Sequence, residues 1–304
     1  MTTPQTTEGK ADFCVGDETY QTWYKVVGDL KSSQRPLVTL HGGPGAAHYY
    51  LLSLADLSSG TSSVPVVFYD QLGISNSTHL PHKGAEFWTP SLFMDELENL
   101  LNHLKIADNF DLLGHSWGGM LAAQFAATRR PSGLNHLIIS DSPASMALWE
   151  EVCSELIKRL PDDVHATLKK HEDEGTTDSK EYQDAMDIFY AKHVCRIQPL
   201  PDLVAKSFAA IGEDPTVYHT MNGPSEFHVI GTLKTLSIIS ELHNINIPTL
   251  ILNSRYDEAQ DACVVPFFNL IPKAKWYTFA NSSHMPHWEE RERYMQIVGD
   301  FLKR

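Results

Sequence analysis

The sequence predicts an α/β protein with a mostly parallel central sheet covered on both faces. Short apolar runs recur along it without strict alternation, which is how strands buried on both sides read. Segments with leucine or alanine at helical spacing separate those runs. The third sign is positional. Clusters rich in glycine and histidine stand directly after apolar runs, where the carboxyl ends of parallel strands gather and ligands bind.

Taken in order, residues 12–28 carry Tyr20, Trp23, Tyr24 and the Val26-Val27 pair, and predict one or two strands broken at the Gly16-Asp17 turn. Four short buried strands follow at Pro36–Leu40, Val64–Tyr69, Phe110–Leu113 and Leu137–Ser140. Between them, Leu92, Leu97, Leu100, Leu101 and Leu104 give Ser91–Ile106 one apolar helical face. The alanine-rich stretch Met120–Arg130 predicts a second helix. From 143 to 235 the chain turns helical and more charged, with KKHEDEGTTDSKE as a solvated stretch. Strand patterns resume at Ile247–Leu252 and Lys275–Phe279, and Glu290–Leu302 predicts a terminal helix. The expected organisation is a core of residues 1–142 and 236–304, interrupted by a helical cap at 143–235. The polar opening, MTTPQTTEGK, is expected to lack structure.

Composition narrows the class. At 42% apolar and 20% charged residues the chain is an ordinary soluble globular protein. A net charge of −14 argues against nucleic acid as a partner, because phosphates repel such a surface. No apolar run approaches the ~20 residues that span a bilayer, so no membrane role is expected. The start shows no basic stretch leading into an apolar core, as a signal peptide would. The four cysteines, Cys14, Cys153, Cys195 and Cys263, form no C-x-x-C pair. They read as free buried thiols in a reducing compartment, and the expected location is cytoplasmic. No metal-ligand cluster, phosphate loop or flavin signature occurs, so neither metal nor cofactor is expected.

The chemistry gathers in four clusters. Gly114-His115-Ser116-Trp117-Gly118 lies between a predicted strand and a helix, the context in which G-x-S-x-G presents a nucleophile. Serine needs a base, and histidine suits the task because its unperturbed pKa of about 6.5 lets it carry a proton both ways. Of 15 histidines, His284 in Asn281-Ser282-Ser283-His284-Met285-Pro286-His287 comes first after the last strand; His287 is the alternative. An acid must orient that base, and Asn253-Ser254-Arg255-Tyr256-Asp257-Glu258 stands in the interval that a Ser–Asp–His order requires. Asp257 is the preferred acid, although position alone does not separate it from Glu258 or Asp261. The oxyanion needs backbone donors: Trp117 N–H after the nucleophile, and Gly43 N–H in His41-Gly42-Gly43-Pro44-Gly45, since proline has none. His115 reads as scaffolding.

HGGPG, YDQLGISNS, GHSWGG, RYDE and SSHMPHWEE, in this order, resemble the prolyl aminopeptidase (proline iminopeptidase) family of α/β-hydrolases. MNGPSEF and EYQDAMDIFYAKH resemble the tricorn-interacting peptidases and their fungal relatives, and the resemblance runs from about Tyr24 to the end. It implies an α/β-hydrolase fold with an inserted helical cap and a Ser116–Asp257–His284 triad. It implies Gly43 and Trp117 as oxyanion donors, no cofactor, and a small peptide or aminoacyl amide as substrate. Glu226 in MNGPSEF and Glu258 correspond to the acids that hold the substrate's free amine. A glutamate after Gly-Pro can also simply open a helix. An apolar pocket for the released residue would draw on Trp117, Tyr49, Tyr50, Phe189 or Tyr190. Ser254 stands where the family often has glycine, and Gln260-Asp261 where it often has proline. The competing expectation on the same scaffold is hydrolysis of a small ester, amide or lactone.

Overall fold

A computed structural model of the chain describes residues 4–59 and 63–303. Eight strands form one sheet in the order β1-β2-β4-β3-β5-β6-β7-β8. They are β1 (Thr6–Val15), β2 (Glu18–Val27), β3 (Leu37–Leu40), β4 (Val66–Tyr69), β5 (Phe110–His115), β6 (Leu134–Ser140), β7 (Thr249–Ser254) and β8 (Ala274–Phe279). β1 and β2 are antiparallel, β2 is antiparallel to β4, and the other neighbours are parallel.

Burial explains the unbroken apolar runs. Leu112, Leu137 and Ile139 belong to the core on one face of the sheet, while Leu113 and Ile138 belong to the core on the other. Successive side chains point to opposite faces, so a strand covered twice must be apolar at every position. The opening segment corrects the expectation of disorder. Thr6–Lys10 pair with Trp23–Val27, Thr6 lying opposite Val27, while the first three residues fall outside the described ones. An edge strand facing water needs few apolar residues, and β1 is anchored by buried Ala11 and Phe13.

The helix α1 (Pro90–His103) starts where Thr89 Oγ1 accepts Leu92 N–H at 3.2 Å and Pro90 occupies the first turn. α2 (Trp117–Thr128) begins three residues before the alanine run, because the turn at Ser116 leads straight into it. Between β6 and β7 lie α3 (Met146–Ile157), α4 (Asp162–Glu174), α5 (Lys180–His193), α6 (Asp202–Glu213) and α7 (Thr216–Met221). The chain leaves and re-enters the core side by side: Met146 N–H donates to Leu236 O at 2.9 Å and Ile238 N–H to Ala144 O at 3.1 Å. α8 (Asp261–Leu270) follows β7, while α9 (Pro286–Glu289) and α10 (Arg291–Leu302) follow β8.

Register brings five strand ends together. Leu40 lies opposite Gly114, His115 opposite Ser140, and Ser254 opposite Phe279. The loops after β3, β5, β6, β7 and β8 therefore leave the sheet at one level.

Candidate active site

Ser116 joins β5 to α2 with φ 57° and ψ −127°. Such a conformation costs an L-residue about 1–3 kcal/mol. Close packing explains the flanking glycines. A Cβ on Gly114 would lie 2.0 Å from the Gly118 carbonyl oxygen, and one on Gly118 would lie 2.2 Å from that of Leu40. The turn is held by Ser116 N–H to Ser140 O at 3.0 Å and Gly119 N–H to Ser116 O at 2.8 Å.

His284 Nδ1 donates to Asp257 Oδ1 at 2.7 Å. A carboxylate only accepts, so in the neutral ring Nε2 is the acceptor. Ser116 and His284 border the same small cavity. Among the neighbouring acids, Asp257 is the one hydrogen-bonded to His284; Asp261 instead accepts Asn253 Nδ2–H at 2.9 Å. His287 is buried among the rings of Tyr50, His115 and Tyr294, and burial pushes its pKa down to about 3.

The His284 backbone is pinned from both sides. Its N–H donates to the carbonyl of His193, the last residue of α5, at 3.1 Å. His193 Nδ1–H in turn donates to Tyr256 O at 2.8 Å, beside Asp257. From below, His115 Nε2–H donates to His284 O at 2.7 Å. That fixes the His115 tautomer: Nδ1 must accept, so Tyr50 Oη–H donates to it at 3.0 Å, and Tyr50 Oη accepts Gly42 N–H at 2.7 Å. His115 is thus one link in a directed chain from the loop after β3 to His284, and burial holds its pKa well below the ordinary value. Gly42 N–H is thus engaged, and Gly43 follows it at φ 108°. Trp117 N–H belongs to the first turn of α2, whose amides have no intrahelical acceptor. Trp117 Nε1–H donates to Gln71 Oε1 at 3.1 Å, and Gln71 N–H to His41 Nε2 at 3.0 Å, tying the two loops together.

Sequence reasoning passed over Asp141. It follows β6 at φ 51°, fully buried. Its carboxyl accepts Ser140 Oγ–H at 2.6 Å and Ser254 Oγ–H at 3.1 Å, and lies beside Asp257. Burial, then the Asp257 charge, hold the Asp141 carboxyl well above the carboxylate range. Ser254, the departure from the family's glycine, is its second support. The signal was available: Asp141 is an acid directly after an apolar run.

Glu226 lies in the turn after α7 and opens no helix. Tyr218 Oη–H donates to its Oε1 at 2.9 Å, and its N–H donates to Tyr190 Oη at 3.2 Å. Glu258 is fully buried, and neither carboxylate oxygen has a hydrogen bond. Burial raises the pKa of both; for Glu258 the charges of Glu226 and Asp257 raise it further. Glu226 borders three cavities. One of about 30 Å³ is shared with Ser116, His284, Gly43, Tyr50 and Glu258. One of about 10 Å³ lies among Trp117, Met120, Met146, Trp149 and Leu233. The third, of about 510 Å³, lies within the inserted segment and includes Tyr190. Tyr49 and Phe189 are spent elsewhere. Tyr49 packs on His48 under Lys206 Nζ, 3.8 Å from its ring centre, and Phe189 is sealed against Phe227.

The sequence profile of the α/β hydrolase fold matches residues 35–291. The proline iminopeptidase of Saccharolobus solfataricus is 37% identical over 94% of this chain and 89% of its own. The chain belongs to the proline iminopeptidase family of α/β hydrolases. Its kinship is also structural. A proline iminopeptidase crystal structure from Mycobacterium smegmatis is 42% identical, with a TM-score of 0.87 over 97% of this chain and 98% of that one. The crystal structure of a protein called VinJ is 51% identical, with a TM-score of 0.93 over the same shares. This proline iminopeptidase relative is thus an enzyme of the serine aminopeptidase type. Among its described residues, no helix is long and apolar enough to cross a membrane.

Proposed function

We propose that the chain releases a single amino-terminal residue, proline or another small apolar one, from a peptide or aminoacyl amide through an acyl-enzyme on Ser116. One observation carries this reading: Glu226 and Glu258 present two carboxylates to the cavity that Ser116 and His284 share, with both oxygens of Glu258 unpaired. A fully buried, unpaired acid facing a half-buried one across a single space is costly unless a cation lies between them, and a free amino terminus is such a cation. The 10 Å³ cavity beside Trp117 and Trp149 supplies an apolar wall for the released residue.

In this mechanism His284 Nε2 takes the Ser116 Oγ proton as Oγ bonds to the carbonyl carbon. Gly43 and Trp117 N–H groups stabilise the oxyanion. His284 passes the proton to the amide nitrogen, the C–N bond breaks and the amine departs. Water, deprotonated by His284, then cleaves the ester and restores Ser116. Residues 143–235 act as the cap that bounds the amine site and limits removal to one residue. Four free cysteines, three of them buried, fit a cytoplasmic setting.

The test is hydrolysis of Pro, Ala, Phe and Leu arylamides with and without an amino-terminal acetyl group, with Ser116→Ala as the blank. Serine-dependent activity abolished by acetylation is expected. Activity confined to capped substrates or p-nitrophenyl esters would instead favour the ester or lactone hydrolase.

A further inference from the structure

One side chain of the inserted segment does a task that the core leaves undone. The loop after β3 runs into a 3-10 helix at His48–Ser58, and Ala47 stands at its N-cap. Alanine has no side-chain acceptor, so this helix start carries no cap of its own. The first amide, His48 N–H, donates to Asp70 Oδ1 at 2.9 Å. The third, Tyr50 N–H, donates to Ser207 Oγ of α6 at 2.9 Å. Ser207 Oγ–H in turn donates at 2.9 Å to the carbonyl of Ala47, 160 residues earlier in the chain. The amide of the second or third residue is the one that an N-cap serine accepts. We propose that Ser207 is a positioning residue for the oxyanion loop, acting as the remote cap of the turn that carries Tyr50. This rests on the Ser116 chemistry with a Gly43 oxyanion donor proposed above.

Tyr50 carries the effect to the reacting atoms. It is buried, and its polar groups are tied to four separate parts of the chain. Its N–H reaches Ser207, its carbonyl accepts Trp288 Nε1–H at 2.6 Å, and its hydroxyl lies between Gly42 N–H and His115 Nδ1. A Cβ on Gly42 would lie 3.1 Å from Tyr50 Oη and 2.9 Å from Ser116 Cβ, so the loop has no slack between tyrosine and nucleophile. A shift of Tyr50 therefore passes to Gly42 and, one residue on, to Gly43 N–H, whose hydrogen bond to the oxyanion depends on its aim. The same helix grips the turn a second time, with Lys206 Nζ 3.8 Å from the Tyr49 ring centre. Ser207 borders the Ser116 cavity, yet its one hydroxyl proton is spent on Ala47 O. Its geometry is that of a strut and not of a donor to substrate.

The test compares Ser207→Thr with Ser207→Val, alike in shape and different in the hydroxyl, on prolyl p-nitroanilide. Threonine should stay within about threefold of the wild type, whereas valine, which leaves Tyr50 N–H and Ala47 O without Ser207, should lose at least about tenfold in kcat with KM little changed. Ser207→Ala should lose about fivefold in kcat. Adding Ala47→Ser to it should restore most of that loss, because residue 47 already holds the extended backbone, φ −83° and ψ 166°, from which a serine caps its own helix. A fall in urea stability with kcat unchanged overturns the inference, as does a rise in KM alone, which would make Ser207 a substrate contact. Equal losses in the threonine and valine variants also overturn it, since bulk and not the hydroxyl would then decide. p-Nitrophenyl acetate, which needs the oxyanion donors but has no amine, separates the two readings. The same order of variants on that ester, in an enzyme that cleaves no prolyl arylamide, would uphold Ser207 and remove the aminopeptidase.

Discussion

Replacing Glu258 with glutamine removes one negative charge and preserves volume, at a position where both carboxylate oxygens lack a hydrogen bond. An ammonium about 4 Å from that carboxylate gains ~4 kcal/mol at an effective dielectric near 20. Part of this is offset, because Glu258, raised by burial and by Glu226 and Asp257, must first release a proton. A net ~3 kcal/mol remains, or about 150-fold in kcat/KM. Prolyl p-nitroanilide should therefore lose about two decades in the variant, whereas p-nitrophenyl acetate, which has no ammonium, should lose less than tenfold. The pH profile supplies a second readout. Because the ammonium binds the ionised acid, wild-type kcat/KM for the prolyl substrate should rise as pH climbs through the elevated pKa of Glu258, and that limb should vanish in Glu258→Gln. Equal losses on both substrates would refute the amine role and assign Glu258 to the His284 environment, 3.8 Å from Nε2.

Asp141 should behave as a neutral acceptor for two buried hydroxyls. Asp141→Asn is expected to keep stability within about 1 kcal/mol, while Asp141→Leu, which leaves the Ser140 and Ser254 hydroxyls without their acceptor, should cost about 2 kcal/mol in urea unfolding. Tyr50→Phe deprives Gly42 N–H of its acceptor and His115 Nδ1 of its donor. It should lower stability by about 2 kcal/mol in urea unfolding. Glu96, held by Thr22 Oγ1 and Leu72 N–H, is pushed up to about 8 by burial. The folded chain keeps a proton that the unfolded chain sheds above about 4.5. The stabilising contribution is thus complete below that pH and is lost towards about 8, by up to ~1.4 kcal/mol per pH unit. Glu96→Gln should flatten the dependence of Tm on pH between 5 and 8.

Much of the site could be read from the chain because strand ends and steric demands leave local marks. Gly114 and Gly118 flank Ser116 because a Cβ at either would collide with backbone. His284 and Asp257 follow strands that end at the same level. Glu226 was marked by the resemblance of MNGPSEF, in which it is the single acid. What escaped depends on partners far along the chain. His115 was read as scaffolding, but that it holds His284 and takes its hydrogen-bond direction from Tyr50 was not legible. Asp141 acquires its role only beside Asp257 and Ser254. The strand at Thr6–Val15 was hidden because an exposed edge carries no apolar run.

A lid that merely screens a site can be exchanged among relatives as a separate part. His193 makes that exchange hazardous here. It belongs to the inserted segment, yet its carbonyl receives the amide of His284 and its ring holds the loop before Asp257. Exchanging that segment for another would remove two of the struts on which His284 and the loop of Asp257 rest. Any change made there to suit another ligand must therefore keep His193, or the loop of His284 loses its hold.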